Sequence, residues 1–244
     1  MRQRTGLGAI AVALLVVTGA GAAGAGTRHH RAPGGGYQPK IRPADFGGPV
    51  DNPYFPLVPG ARWVYDVKTP EGPERIVVEV THDTKEIVGI SAVVVHDTAT
   101  KDGQLVEDTL DYYGQDVAGN VWYFGEDTKA YKHGAISTNG SWEAGVDGGQ
   151  PGIIMKAHPR VGAAYRQEFL KGQAEDRARV LSVDASASVP FDSFEHAVVK
   201  TKDITDLEPS LVEQKYYAPG VGVVLEVDVK GGSERVELVE HSTP

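Results

Sequence analysis

The chain reads as an all-β protein made of two related antiparallel meanders, and three features of the sequence predict it. Period-two alternation recurs: Trp63, Tyr65 and Val67 alternate with Arg62, Val64 and Asp66, and Ile76, Val78 and Val80 alternate with Val77 and Glu79. That is the pattern of half-buried strands. Turn residues interrupt the runs at short intervals, as at Pro70, Gly72 and Pro73, at Lys101-Asp102-Gly103 and at Ala118-Gly119-Asn120. Six landmarks then recur in order. Phe55-Pro56, Gly60-Ala61, Arg75, Ala92-Val93-Val94, Val106-Glu107 and Tyr112-Tyr113 are echoed by His158-Pro159, Gly162-Ala163, Arg177, Ala197-Val198-Val199, Val212-Glu213 and Tyr216-Tyr217. The offsets of 103, 102, 102, 105, 106 and 104 suggest an internal duplication. The two meanders would form one curved sheet or half-barrel, or two packed sheets.

Residues 1–25 carry the marks of an export signal: Arg2 and Arg4, an uncharged apolar run from Gly6 to Val17, and the small residues Ala23-Gly24-Ala25. The run falls short of the roughly 20 residues that span a bilayer. Residues 26–40 have the composition of a disordered linker, basic from Arg28 to Arg31 and rich in glycine at Gly34-Gly35-Gly36. A single domain is expected over residues 41–241, with pseudo-repeats at 55–131 and 158–241 joined by a Gly-rich loop at 134–152.

Within the first unit, strands are expected at the Trp63 and Ile76 runs, then at Ile87–Val95, Leu105–Tyr113 and Val121–Phe124. The second unit repeats the plan at Tyr165–Leu170, Arg179–Asp184, His196–Lys200, Leu211–Tyr217 and Val221–Val229, and Arg235–Val239 closes the chain. Helix propensity is high from Ala163 to Leu181. The repeat assigns strands there, with a short helix near Gln173–Arg177 as the fallback.

The formal net charge of −9 becomes −11 once Arg2 and Arg4 are removed. An acidic chain disfavours nucleic acid and anionic lipid as partners. Zero cysteines exclude disulfides, thiolate metal sites and a lipidated cysteine anchor. The sequence has no G-x-S-x-G elbow, no H-E-x-x-H and no phosphate-binding glycine loop. No histidine pair sits at i, i+4 spacing, so no catalytic residue is assigned and an enzyme is not the favoured class.

The carboxylates carry the most suggestive chemistry. In the Glu107–Tyr113 strand, alternation puts Val106, Asp108, Leu110 and Tyr112 on one face. If that face is the core, Asp108 points inward and needs a partner. Salt bridges to Arg62, Arg166, Arg177 or Lys215 are the plainer reading of these acids. A Ca²⁺ site drawn from Asp108, Asp111, Glu175 and Asp176 is the sharper one. A mature terminus at Thr27-Arg28-His29 could also wrap Cu²⁺. Trp122, Phe124 and Trp142 are the candidate ligand-binding rings. The competing reading is core packing, with Trp142 closing one end of the core.

Several phrases resemble an uncharacterised family of exported bacterial β-rich proteins. They are Asn52-Pro53-Tyr54-Phe55-Pro56-Leu57-Val58-Pro59-Gly60, Gly119-Asn120-Val121-Trp122-Tyr123-Phe124-Gly125-Glu126 and Lys215-Tyr216-Tyr217-Ala218-Pro219-Gly220-Val221-Gly222. The resemblance implies an exported domain and brings no established activity. The strand pattern also looks like lipid-carrying β half-barrels of the cell envelope, an analogy of fold alone. The resulting expectation is a secreted or envelope-exterior, non-catalytic protein that binds a small apolar or envelope-derived ligand. The alternatives are an interaction or inhibitor module with an acidic surface, a Ca²⁺-binding protein and, third, a hydrolase.

Overall fold

The computed structural model describes residues 36–132 and 134–244. The expected signal segment, the linker through residue 35 and the Thr27-Arg28-His29 copper motif lie outside these residues, as does His133. After one 3-10 turn (Pro43–Asp45) the described chain is built of strands: β1 (Arg62–Thr69), β2 (Gly72–Ile87), β3 (Ile90–Lys101), β4 (Gln104–Gln115), β5 (Val121–Lys132), β6 (Ala135–Ser137), β7 (Trp142–Glu143), β8 (Gln150–Met155), β9 (Ala164–Arg166), β10 (Glu168–Phe169), β11 (Asp176–Ser188), β12 (Ser193–Thr205), β13 (Val212–Ala218), β14 (Gly222–Lys230) and β15 (Arg235–Ser242). The turn chemistry anticipated at Lys101-Asp102-Gly103 is realised. Asp102 and Gly103 both take positive φ, 51° and 74°, as a two-residue hairpin turn between twisted strands requires.

All strands belong to one sheet in the order β10-β8-β5-β4-β3-β2-β1-β15-β14-β13-β12-β11-β9. Every named pairing is antiparallel. The two ends of that path, β10 and β9, are halves of one stretch of chain, Ala164–Phe169, interrupted at Gln167. The Ala164 half pairs with β11 and the Phe169 half with β8. Of the two arrangements expected, the single curved sheet is adopted, and it curls past a half-barrel into a nearly closed barrel. The helix fallback fails: residues 171–173 form a turn and β11 is already extended at Asp176.

Both halves open on the same backbone lock. Gly60 N–H donates to Val80 O and Val80 N–H to Ala61 O; Gly162 N–H donates to Val180 O and Val180 N–H to Ala163 O. Between the halves, the Gly-rich segment is part of the wall rather than a free loop. Its strands β6, β7 and β8 line up along β5. They can do so because β5 bulges at Gly125, whose φ is 141° and where an added Cβ would lie 2.3 Å from Trp142 O. The bulge changes side-chain parity, so Tyr123 and Glu126 both face inward, opposite Tyr113 and Asp111.

One continuous apolar cluster holds the molecule together, running from Val50 and Leu57 through Trp63, Tyr65, Ile76, Tyr113, Tyr123, Val199, Tyr217 and Leu238. The segment Asn52–Pro59 straps one barrel end. Asn52 anchors it by donating to Gly119 O and Lys156 O and accepting from Tyr54 N–H.

Candidate functional site

The barrel interior is zoned. Beneath the strap it is apolar and aromatic. Phe55, Leu57, Trp63, Tyr65, Val78, Val95, Tyr113 and Val223 line a half-open pocket of about 40 Å³. Trp63 and Tyr65 tie this end together by donating to Val221 O at 2.8 Å and Val223 O at 2.9 Å. Further along the axis the interior turns acidic.

Among the described residues ten acidic side chains are buried: Glu74, Asp97, Glu107, Asp111, Glu126, Glu168, Asp176, Asp203, Glu226 and Glu237. Lys215 is the one buried basic side chain among the described residues.

Burial raises the pKa values of most of these carboxyls, since it penalises the charged form. Burial lifts Asp111 to about 8, opposed by the Tyr123 hydroxyl and reinforced by Glu107. Burial and then Glu74 lift Glu107 to about 7. Glu126 and Glu168 are pushed well up, first by burial and then by Asp111 and Asp176 respectively. At the outer edge Glu234 reaches about 8 through burial and the charges of Asp228, Glu213, Glu74 and Glu71.

Lys215 compensates one side. Its ammonium lies 3.3 Å from Glu226 Oε2. Burial works against its charge, but Glu226, Glu213 and Asp203 outweigh that and hold it well above the usual lysine range. Even so, burial keeps Glu226 at about 7.

The opposite side, on β4 and β5, has no such compensation. Tyr123 donates to Asp111 Oδ1 at 2.7 Å, and Thr109 and Thr128 share a short hydroxyl contact. Glu107 Oε2, Asp111 Oδ2 and the Tyr113 hydroxyl are buried with no hydrogen-bond partner. Glu168 Oε2 and the Trp142 indole N–H are in the same state. The indole still lowers the Glu168 pKa, acting across the seam without closing a bond of ordinary geometry.

The residues singled out from the sequence land in different places. Phe124 and Trp122 are on the outer wall. Phe124 is fully buried under Phe46 at 5.5 Å, while Trp122 packs on the same ring and donates to Asp116 Oδ2 at 2.8 Å. Both are packing residues there and neither lines the interior. Trp142 is 4% exposed and meets Tyr123 edge-on at 5.4 Å, as a wall residue rather than an end plug.

Asp108 corrects the inward assignment. It sits on the outer face with His96 Nε2 at 2.7 Å, and Glu107, Thr109, Asp111 and Tyr113 form the inner face. Asp111 and Asp176 are interior, while Glu175 is occupied in a turn, accepting from Gly172 N–H. The four candidate calcium ligands therefore do not converge. Among the described residues no group of three or more His, Asp or Glu side chains could hold a metal ion. Glu107 and Glu126 were not singled out as inward acids. Their signal was the parity of β4 and β5, which alternation defines without saying which face is inside.

Comparison with known proteins adds an outline. No protein-family description matches the chain, and no curated protein matches it. Among solved structures it is similar to a protein from Bacteroides fragilis described as exported and of YmcC-like fold, with 14% identity over 78% of this chain and 99% of that one and a TM-score of 0.47. It is also similar to a protein from Parabacteroides distasonis described as a lipoprotein, with 14% identity over 78% and 98% and a TM-score of 0.45.

Proposed function

We propose that this is an exported, non-catalytic binding protein whose ligand sits inside the barrel. Export rests on the amino-terminal sequence. The binding reading rests on one observation: the β4–β5 wall presents buried polar atoms to the interior, Glu107 Oε2, Asp111 Oδ2 and Tyr113 OH, that nothing in the chain engages. Buried polar groups are otherwise almost always partnered, so these atoms support a reading in which a partner from outside the chain is received at this wall.

An apolar ligand of lipid size does not fit the pocket beneath the strap. That pocket, about 40 Å³, has room for a few water molecules. Native mass spectrometry of protein purified from its exporting host tests the reading. A discrete mass released on denaturation is expected, and repeated preparations with bare protein would sink it.

One observation favours a second reading. Asp111 and Glu126 are register partners facing the interior, both with raised pKa, the disposition used for acid–base hydrolysis. Turnover of chromogenic glycosides or esters that disappears in Asp111→Asn would establish that alternative.

A further inference from the structure

We propose that the junction of β8 and β10 is a gate in the barrel wall. It stays shut while Glu168, Glu126 and Asp176 are uncharged and parts when they ionise, with Tyr37 as its outer latch. The inference concerns how the barrel opens and does not depend on what the interior binds.

The backbone is weakest at this junction. β10 meets β8 through two residue pairs, Glu168 with Pro151 and Phe169 with Gln150. One of the two contains a proline, which has no N–H to donate. This is the shortest ladder on the path around the barrel, whereas β1 and β2 share eight pairs. Local opening follows the route that breaks the fewest bonds.

Three segments each bring a buried carboxyl to the inside of the junction. Glu126 comes from β5, Glu168 from β10 and Asp176 from the start of β11, and none is more than 6% exposed. Glu168 and Asp176 act on Glu126, and Asp176 acts on Glu168. The Tyr123 hydroxyl of β5, the Trp142 indole of β7 and Lys215 of β13 also face Glu168. Asp111 and Glu107 of β4 face Glu126, while Glu213 and Asp203 face Asp176. β8 contributes no titratable side chain. Lys215 is the one cation of this set, and it is held by Glu226 at 3.3 Å.

Glu168 Oε2 and the Trp142 indole N–H have no hydrogen-bond partner. Uncharged, the three carboxyls can sit in a closed wall. Ionised, they repel one another in a medium of low polarity, and water admitted through the junction relieves them. Burial, then Asp176, hold Glu168 above the ordinary carboxyl range, and burial lifts Asp176 to about 7. Ionisation, and with it opening, therefore advances as pH rises through and above neutrality.

The outer face carries the latch. Tyr37 OH donates to Pro151 O of β8 at 3.0 Å, and its ring meets Phe169 of β10 edge-on at 6.2 Å. The Arg166 guanidinium of β9 lies over both rings. One side chain from the amino-terminal segment thus braces both strands of the junction.

Hydrogen exchange of the full chain, read by mass spectrometry at about pH 6 and about pH 9 and corrected for the intrinsic exchange rate, tests the proposal. Peptides covering Gln150–Met155 and Ala164–Phe169 should lose at least about tenfold in protection at the higher pH, while β1 and β2 stay within about threefold. Glu168→Gln should keep the junction within about threefold of its low-pH protection at both values. Tyr37→Phe, which removes the bond to Pro151, should lower junction protection about threefold at both.

Unchanged junction protection between the two pH values overturns the gate. So does an equal loss over β1, β2 and the junction, which would mark unfolding of the whole barrel. A pH response in Glu168→Gln as large as that of the unaltered chain overturns the carboxyl trigger. If that variant does not fold, the comparison of the unaltered chain at two pH values still decides the gate, and unchanged protection in Tyr37→Phe overturns the latch.

Discussion

Tyr123 and Asp111, on adjacent strands β5 and β4, form a 2.7 Å hydrogen bond inside the barrel with the hydroxyl as donor. Both side chains are fully buried, and this bond is the main influence keeping the Asp111 pKa from rising further. Tyr123→Phe should therefore cost about 1–3 kcal/mol, the penalty for orphaning a buried acceptor, and should move the Asp111 pKa upward. Urea denaturation at two pH values would measure the loss, and carboxyl-carbon NMR titration would follow the pKa.

Stability should fall as pH rises through neutrality. Glu107, Asp111, Asp176, Glu226 and Glu234 have folded pKa values of about 7, 8, 7, 7 and 8, all above the ordinary carboxyl range. Between the ordinary and raised values the folded state binds more protons than the unfolded chain. Their contribution is thus complete below the ordinary carboxyl range and lost as pH climbs through the folded values. Glu237, held low against burial by Lys68 and Arg235, works oppositely and loses its contribution in acid. Thermal melts should be highest near or below about pH 4 and decline as pH climbs toward about 8. A flat profile over that range would contradict the protonated interior.

Lys215 should be intolerant of single replacement. Lys215→Met leaves Glu226, Glu213 and Asp203 buried without their cation and should cost about 3–5 kcal/mol at neutral pH. Adding Glu226→Leu, which removes the register partner of Lys215, should restore part of the loss. A double-mutant cycle by chemical denaturation reads the coupling directly.

Gly125 should resist even alanine. A Cβ there would sit 2.3 Å from Trp142 O and 2.9 Å from Glu143 Cα, in a backbone with φ of 141°. Gly125→Ala should destabilise by at least about 2 kcal/mol and loosen Trp142, visible as a red shift and quenching of its fluorescence.

The strand content of the fold was legible, and the sign of its faces was not. Alternation in Leu105–Tyr113 separates two sets of residues, and the usual rule puts Val106, Leu110 and Tyr112 inside. The barrel reverses that, with Glu107, Asp111 and Tyr113 inward, because a ring this wide can keep a polar interior.

Bulges hid the rest. Around β14 the run Val221, Val223, Leu225, Val227 and Val229 reads as one face, although β14 itself begins at Gly222. The register shift against β13 between Tyr216 and Tyr217 turns Val223 toward Tyr217 and Glu226 toward Lys215. A one-residue slip of this kind moves side chains to the opposite face without altering composition. Trp122 and Phe124 read as ligand-binding rings with core packing as the competing reading, and they pack on Phe46. What the sequence could not supply was Phe46, which comes from the preceding segment to cover them.

The shape of the ring also dictates an order of assembly. Nearly every ladder joins strands that follow one another along the chain, so each hairpin can zip by local search alone. Short ladders such as β5–β8 and β9–β11 skip one or two strands, but the far exception is the β1–β15 seam, where Arg62 meets Ser242, at the greatest loop entropy of any ladder among the described residues. Two fans of hairpins would thus mature independently, and the hoop would shut only at the last stitch, with its carboxyl groups wet and ionised until that moment.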